Sequence, residues 1–347
     1  MTTRQIQRRA TLEDVAREAG VSLATADRAV NGRDGVREKT QARVSFAVAK
    51  LGYRPNPAAA QLARGQSFRF AFVLPSNANA FMASLEEHLG KVAGWLAGQN
   101  AYIDIIHADV FDANALSGVL ETLPAHYRGV ATVALDHPRV RVAINDLVQR
   151  GVAVVTLVSD APSARRAHYV GINNPAAGRT AGSLIGRFLG ARGGKVAVIA
   201  GSLALRDHAE RYFGFNEVLS MEYPHLTLLP VREGRDDIGQ NRELMAELLA
   251  AHPDLVGLYN VGAGNEGLAE VLEASGRAQD IVWIAHELSA ETRRLLVCGV
   301  ADAIINQDPG HEARSAARVL LARVSGEAII PEQEIIRIEI FLRDNLP

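Results

Sequence analysis

The chain has 347 residues, 48% hydrophobic and 22% charged, with a formal net charge of −2; this allows two or three packed domains and excludes a disordered or fibrous chain. No apolar run nears the roughly 18 to 20 residues that cross a bilayer, and MTTRQIQRRA has no apolar signal stretch, so a cytoplasmic protein without membrane attachment is expected. Charge is unevenly spread: residues 1–66 carry 12 Lys and Arg against 6 Asp and Glu, residues 67–347 carry 25 against 33, the pattern of a phosphate-neutralising end on an acidic body.

Residues 1–9 read as a basic tail whose Arg4, Arg8 and Arg9 are free to meet phosphates. Thr11-x-x-Asp14 is a capping box, followed by a helical stripe at Leu12, Val15, Ala16 and Ala19 that Gly20 ends. Ser22 caps a second helix with Val21, Ala26, Ala29 and Val30 inward and Leu23, Ala24, Thr25, Asp27 and Arg28 outward. Two helices joined by a short glycine-containing turn form a helix-turn-helix, whose second helix enters the major groove of DNA. On that reading Arg28 contacts a base edge, guanine by preference, Leu23 and Ala24 form the reading pair, and Asp27 accepts from the exocyclic amine of cytosine. Thr25 and Asn31 join the same DNA-facing set. A third helix, Val36 to Leu51, turns Val44, Ala47, Val48 and Leu51 inward and presents Lys39, Thr40 and Arg43 near its start. Arg54-Pro55-Asn56-Pro57 is a break and a new helix start, with Asn56 as cap and Pro57 at the first helical position.

DVAREAGVS, RAVNG, REKT and LGYRPNPAAAQLARG together resemble the headpiece of the lactose-repressor (LacI/GalR) family of bacterial transcription regulators, closely over Thr11 to Gly65. The resemblance implies backbone contacts at Lys39 and Thr40, a DNA role for Asn56, and a hinge helix whose Leu62 wedges into the minor groove and kinks the duplex. Asp27 departs from the serine common there in lactose-repressor relatives, so the operator sequence does not transfer.

From Phe68 onward short apolar runs alternate with helical patterns. Strands are expected at 68–74, 102–107, 129–135, 152–158, 195–201, 226–231, 255–260, 281–285 and 303–307; helices at 81–99, 138–150, 176–190, 207–221, 239–251, 265–275 and 309–325. Such alternation means parallel sheets covered on both faces. The fold class expected is a small all-α helix-turn-helix headpiece plus an α/β core of two doubly wound parallel-sheet lobes, of the periplasmic-binding-protein-like type I design. The boundaries are 1–55 for the headpiece, 56–67 for hinge and linker, 68–172 with 307–331 for the N-terminal lobe, and 173–306 with 332–347 for the C-terminal lobe. The segments near 307–331 and 335–343 are expected to cross between lobes. Cys298, the sole cysteine, excludes an internal disulfide and a cysteine-based metal site and reads as a buried small hydrophobe.

Ligand groups in such a core sit on loops after strands. Asn77, Asn79 and Phe81 follow the first strand, where sugar-binding relatives place an aromatic that stacks on the ring. Arg211, four residues before Phe215, matches the arginine that clamps sugar hydroxyls in the resembling family, and His208 lies one turn earlier. Ser159 stands where ribose-binding relatives have part of an Asp-Arg pair, with Asp160 as the compensating acid. Asn260, His286, Glu287 and Gln307 complete the set; the family often carries Asp at 286 or 287.

One motif points elsewhere. Gly262-x-Gly264-x-x-Gly267 follows a strand and opens a helix, a literal dinucleotide fingerprint, which would make the chain a nicotinamide-dependent enzyme. The next strand ends in His286-Glu287, and the motif lies in the second lobe, against that alternative. No nucleophile elbow, phosphate loop or zinc-spaced set appears, so no catalysis, cofactor or metal is expected. The reading is a homodimeric repressor of a carbohydrate or polyol operon that binds double-stranded operator DNA and is released by a sugar-like inducer; a corepressor ligand is the alternative within the same fold. With no heptad tail after Arg343, a dimer is expected.

Overall fold

The computed structural model describes residues 10–53, 67–76 and 79–347, and the chain divides into two units, residues 1–67 and 68–347. The basic tail, the hinge with Asn56 and Leu62, and Asn77 lie outside the described residues.

In the first unit, α1 (Leu12–Ala19) opens on the expected reciprocal cap: Asp14 N donates to Thr11 Oγ1 at 3.2 Å and Thr11 N to Asp14 Oδ2 at 2.9 Å. Gly20, at φ 62°, ends it in the left-handed conformation. Ser22 caps α2 (Leu23–Val30) by accepting from Thr25 N at 3.1 Å, and α3 (Glu38–Leu51) begins two residues after Val36. Val15, Ala19, Ala29, Val44 and Ala47 make the small core. Arg43 is exposed near the start of α3 as expected, and its guanidinium also donates to the carbonyls of Ala19 and Gly20, closing α1.

The second unit begins with β1 (Phe68–Pro75), α4 (Ala80–Ala97), β2 (Ala101–Ala108), α5 (Ala113–Thr122), β3 (Tyr127–Thr132), α6 (Pro138–Gln149), β4 (Ala153–Leu157) and β5 (His168–Val170). These strands are all parallel, in the order β2-β1-β3-β4-β5. β1 is buried at seven of its eight residues, as a strand covered on both faces must be. The chain then crosses to α7 (Asn174–Leu189), β6 (Gly194–Ala200), α8 (Arg206–Glu222), β7 (Leu226–Leu228), β8 (Arg232–Glu233), α9 (Ile238–Ala251), β9 (Leu255–Asn260), α10 (Asn265–Ser275), β10 (Val282–His286), α11 (Ala290–Val297) and β11 (Ala303–Asn306). It returns to the first sheet as α12 (Pro309–Ser325), packed on α4, β3 and β4, and crosses a third time to β12 (Glu339–Phe341). The second sheet runs β12-β11-β10-β9-β6-β7, with β8 also on β6 and β12 its one antiparallel strand.

The two doubly wound lobes are as expected, with local differences. β5, β8, β12, α5 and α11 are additional elements, and β7 covers only the first half of 226–231. Cys298 is exposed, because the C-cap of α11 falls on it; the expected buried role is wrong.

Candidate functional site

On the headpiece, the outward face of α2 is the one expected. Leu23 is 47% exposed, Ala24, Arg28 and Lys39 are exposed, and Thr25, Asp27 and Thr40 are half-buried. Thr25 Oγ1 lies 2.8 Å from Ser22 Oγ, so its hydroxyl is partly committed to the cap. The Asp27 carboxylate accepts from Asn31 Nδ2 at 2.8 Å and Arg33 Nη1 at 3.1 Å; a base amine would have to displace one of these exposed partners.

In the second unit a cleft of about 610 Å³ opens between the carboxyl ends of the two sheets, where a doubly wound fold presents its loops. The first lobe contributes Asn79, Phe81, Phe111, Val158 and Ser159; the second contributes Asp207, His208, Arg211, Arg235, Asp236, His286 and Glu287; Gln307 sits at the crossing after β11.

Arg211 is the centre of this wall. α7 and α8 approach so closely that a Cβ on Gly178 would fall 1.9 Å from the Arg211 carbonyl oxygen, and one on Gly214 would fall 2.1 Å from that of Pro175. This fixes the backbone of Arg211. Its side chain is 2% exposed; Nε donates to Asn174 Oδ1 at 2.9 Å, Nη1 to the Val261 carbonyl at 2.8 Å, and Nη2 has no protein partner. Burial works against the charge, but Asp207 and Glu287 outweigh it and hold the guanidinium above its ordinary value. Asn174 in turn donates to Tyr169 Oη at 3.0 Å, and that hydroxyl donates to the carbonyl of Val158 at 2.9 Å. A hydrogen-bonded line thus runs from the arginine to the inter-lobe crossing.

On the same lobe stand His286, the last residue of β10, and Glu287 just after it. His286 Nε2 lies 2.8 Å from Tyr259 Oη, Nδ1 has no protein partner, and burial, then Arg211 and His208, push the ring pKa well down, so the imidazole is neutral. Glu287 adopts φ 68°, a strained conformation for a non-glycine residue. It is held there because its N donates to the Ile305 carbonyl at 2.9 Å and its own carbonyl accepts from Thr292 Oγ1 at 2.7 Å. Burial pushes its carboxyl up to about 7, with Arg211 and the Gln307 amide, 2.8 Å from Oε1, opposing. His208 turns Nδ1 to accept from the amides of Gly201 and Ser202 at 3.1 and 3.2 Å, which leaves Nε2 to carry the proton. Asn79 spends its Oδ1 on the Met82 amide at 2.9 Å, capping α4, with Phe81 the second residue of that helix.

Among the described residues, six polar atoms of the cleft are buried without a protein partner: Ser159 Oγ, Asp207 Oδ1, Arg211 Nη2, His286 Nδ1, Glu287 Oε2 and Gln307 Oε1. Each costs about 1–3 kcal/mol unless a ligand or solvent satisfies it.

Two expected ligand residues lie elsewhere. Asp160 does not reach the cleft, because its carboxylate is taken by Arg166 Nε and Nη2 at 2.5 and 2.6 Å, by Thr156 Oγ1 at 2.6 Å and by the Ala161 amide at 2.8 Å. Asn260 braces the next loop, donating to the Ala263 carbonyl at 3.0 Å and to Asn265 Oδ1 at 2.8 Å, and is not on the wall. The sequence reading missed Asp207, Arg235, Asp236 and Phe111. Asp207 had a signal, as the neighbour of His208 at the same strand-to-helix junction; Arg235 and Asp236 sit on a loop where both have positive φ.

The glycine motif does not fit a dinucleotide. A Cβ on Gly262 would lie 2.2 Å from Asp236 Oδ1 and one on Gly267 2.0 Å from the Ile238 carbonyl, so these glycines admit residues 236–238. The Ala263 amide at the head of α10 already donates to Asp236 at 3.0 Å, and a pyrophosphate there would face that carboxylate.

Comparison with known proteins decides what carries this cleft. Residues 70–328 match the periplasmic binding protein domain family, and residues 11–56 match the bacterial regulatory proteins of the lacI family. The chain belongs to the LacI family of bacterial regulatory proteins, with a periplasmic-binding-protein core. The HTH-type transcriptional regulator CelR of Thermobifida fusca is 28% identical over 98% of this chain and 99% of its own. Catabolite control protein A of Streptococcus mutans is 42% identical over 83 residues, 24% of this chain and 25% of that protein. The core of this LacI-family chain has the fold of a Burkholderia graminis solute-binding protein solved with D-arabinose (TM-score 0.74, 23% identity, 81% of this chain and 96% of that one). It is equally similar to GanP, a glucose-galactose binding protein from Geobacillus stearothermophilus (TM-score 0.73, 24% identity, 81% and 99%). The regulator is thus a DNA-binding transcription factor with a periplasmic-binding-protein type of core. Among the described residues no helix is long and apolar enough to cross a membrane.

Proposed function

We propose that this regulator represses a carbohydrate- or polyol-utilisation operon and leaves its operator when an uncharged, polyhydroxylated effector fills the cleft, which binds that effector without transforming it. The observation that carries the reading is the set of six unpartnered buried atoms, in which a guanidinium donor stands among carboxylate, amide and hydroxyl acceptors. A hydroxyl both donates and accepts, so adjacent hydroxyls satisfy such a mixed set, while Phe81 offers an apolar face to a ring. Charge narrows the class further. Asp207, Asp236, Asp237, Glu266 and Glu287 line the cleft against Arg211 and Arg235, a balance that disfavours phosphorylated or carboxylated ligands.

On the DNA side, the exposed Arg28 supports base contact, with Leu23 and Ala24 beside it at the start of α2. A homodimer would present two such helices to a pseudopalindromic operator. Closing the lobes weakens the complex only as far as the effector prefers the non-binding state.

A thermal-shift and calorimetric screen of neutral pentoses, hexoses, polyols and cyclitols beside their phosphorylated forms tests this. A neutral compound should raise the melting temperature, its phosphorylated form should not, and saturation should weaken retention of the promoter fragment upstream of the gene. Strengthened retention would make the ligand a corepressor, and preferential binding of the phosphorylated forms would refute the ligand class.

A further inference from the structure

Although the core is acidic, with 33 Asp and Glu against 25 Lys and Arg in residues 67–347, one patch of its first lobe is wholly basic. Arg128, second residue of β3, and Arg150, at the C-terminal end of α6, line one small groove; Arg128, Arg165 and Arg323 line a wider one of about 330 Å³. No carboxylate lines either groove, all four side chains are exposed, and none of them makes an ion pair among the described residues. Elsewhere the same body does pair its arginines: Arg166, Arg242, Arg294 and Arg318 hold carboxylates at 2.5 to 2.7 Å. A concentration of one sign without counter-charge raises the local potential for an anion.

The patch also has a telling place. β1 and β3 are parallel, with Arg69 in register with Tyr127. The grooves therefore lie at the end of the sheet where the chain enters β1, opposite the end where Pro75, Val133 and Val158 meet the effector cleft. Only residues 54–67 separate Tyr53 from Phe68, and fourteen residues reach at most about 50 Å. A duplex gripped by the headpiece is tethered within that distance of Phe68.

We propose that Arg128, Arg150, Arg165 and Arg323 form a second phosphate-binding surface, occupied by the backbone of duplex DNA flanking the stretch the headpiece reads. Guanidinium forks match phosphate oxygens, and an open groove of exposed arginines suits a continuous backbone better than an enclosed small anion. The inference rests on the DNA-binding reading above.

The test uses the full chain and its triple variant Arg128→Ala, Arg165→Ala, Arg323→Ala on random-sequence duplexes of about 16 and about 40 base pairs, with affinity measured between about 50 and 200 mM salt. On the longer duplex the log–log salt slope should flatten by about 2 to 3, at roughly 0.9 per lost phosphate contact, and on the shorter one it should hold. The corresponding triple Lys variant, which keeps the charges, should retain the slope on both and so separates lost contacts from a damaged fold. An unchanged slope on the long duplex overturns the proposal, as does equal flattening on both. If inorganic phosphate raises the melting temperature of the parent but not of the Ala variant while the slope stays fixed, the groove takes small anions and the DNA assignment fails. A parent chain that binds neither duplex would sink the DNA-binding reading and this inference together.

Discussion

The headpiece and the cleft both hold polar groups ready for a ligand, but under opposite conditions. On α2 those groups stand in solvent: Arg28 is exposed with no side-chain partner among the described residues, and Asp27, Asn31 and Arg33 satisfy one another at little cost. In the cleft they are buried, and six atoms lack any partner among the described residues. Substitutions on α2 should therefore change recognition and leave stability alone, whereas substitutions on the cleft wall should change both, because each group there belongs to a network that also holds the fold.

The sharpest test of that contrast is Arg211→Ala. It strips Asn174 Oδ1 and the Val261 carbonyl of their donor and leaves Asp207 and Glu287 without the cation that faces them. Breaking a buried charge pair costs about 3–5 kcal/mol, so the melting temperature should fall markedly. Effector affinity by calorimetry should fall at least about tenfold, the loss of one charged hydrogen bond. An unchanged affinity would remove Arg211 from the site.

The same contrast explains what the sequence made legible. Helix caps, turn glycines and the outward face of α2 are local, decided within four residues, and the reading of Thr11, Ser22 and Gly20 agrees with the structure. Cleft membership is tertiary. Asp160 and Asn260 have the right chemistry after the right strands, yet an arginine six residues on captures the first and a loop carbonyl the second. Conversely, Arg235 reaches the cleft from a loop after the two-residue β8, too short to leave a periodic signal, and its guanidinium lies 5.1 Å from the Phe111 ring of the other lobe. The missed α5, ANALSGVLET, mixes weak helix formers and depends on Asp112 for its cap. The fingerprint glycines misled because close packing of backbone on backbone and close approach to a phosphate demand the same residue.

Glu287 gives the cleft a pH dependence that α2 should lack. Unfolded, it titrates near the ordinary value of about 4.3; folded, burial pushes it up to about 7. Between those values the folded state holds the extra proton. Its favourable contribution is present below about pH 4 and is lost as pH rises through about 7, on the order of 3 kcal/mol in all. Denaturant unfolding of the parent and of Glu287→Gln at pH 5 and pH 8 checks this: the parent should lose more stability than the variant across the interval. Identical losses would remove Glu287 as the source.

Arg28→Ala should mirror Arg211→Ala on the other side of the comparison. Loss of a base contact costs about 1–3 kcal/mol of discrimination, so preference for promoter over random fragments should drop in gel shifts. The melting temperature and effector affinity should hold, since no partner of Arg28 is buried. Undiminished preference would refute the base contact; a large stability loss would erase the distinction between the regions.

The smallest expected effect is the most informative about how the cleft is built. Tyr169→Phe removes a hydroxyl that does not line the cleft but links the Val158 carbonyl, at φ 64° on the first lobe, to Asn174 and through it to Arg211 on the second. The direct loss is the two hydrogen bonds to Val158 and Asn174, about 1–2 kcal/mol of stability. If the link positions the arginine, effector affinity should also fall by a few fold, and in an Asn174→Ala background the same substitution should add almost nothing, because the chain is already cut. Full additivity of the two would mean that Tyr169 steadies its own strand and Arg211 is held by its immediate neighbours alone.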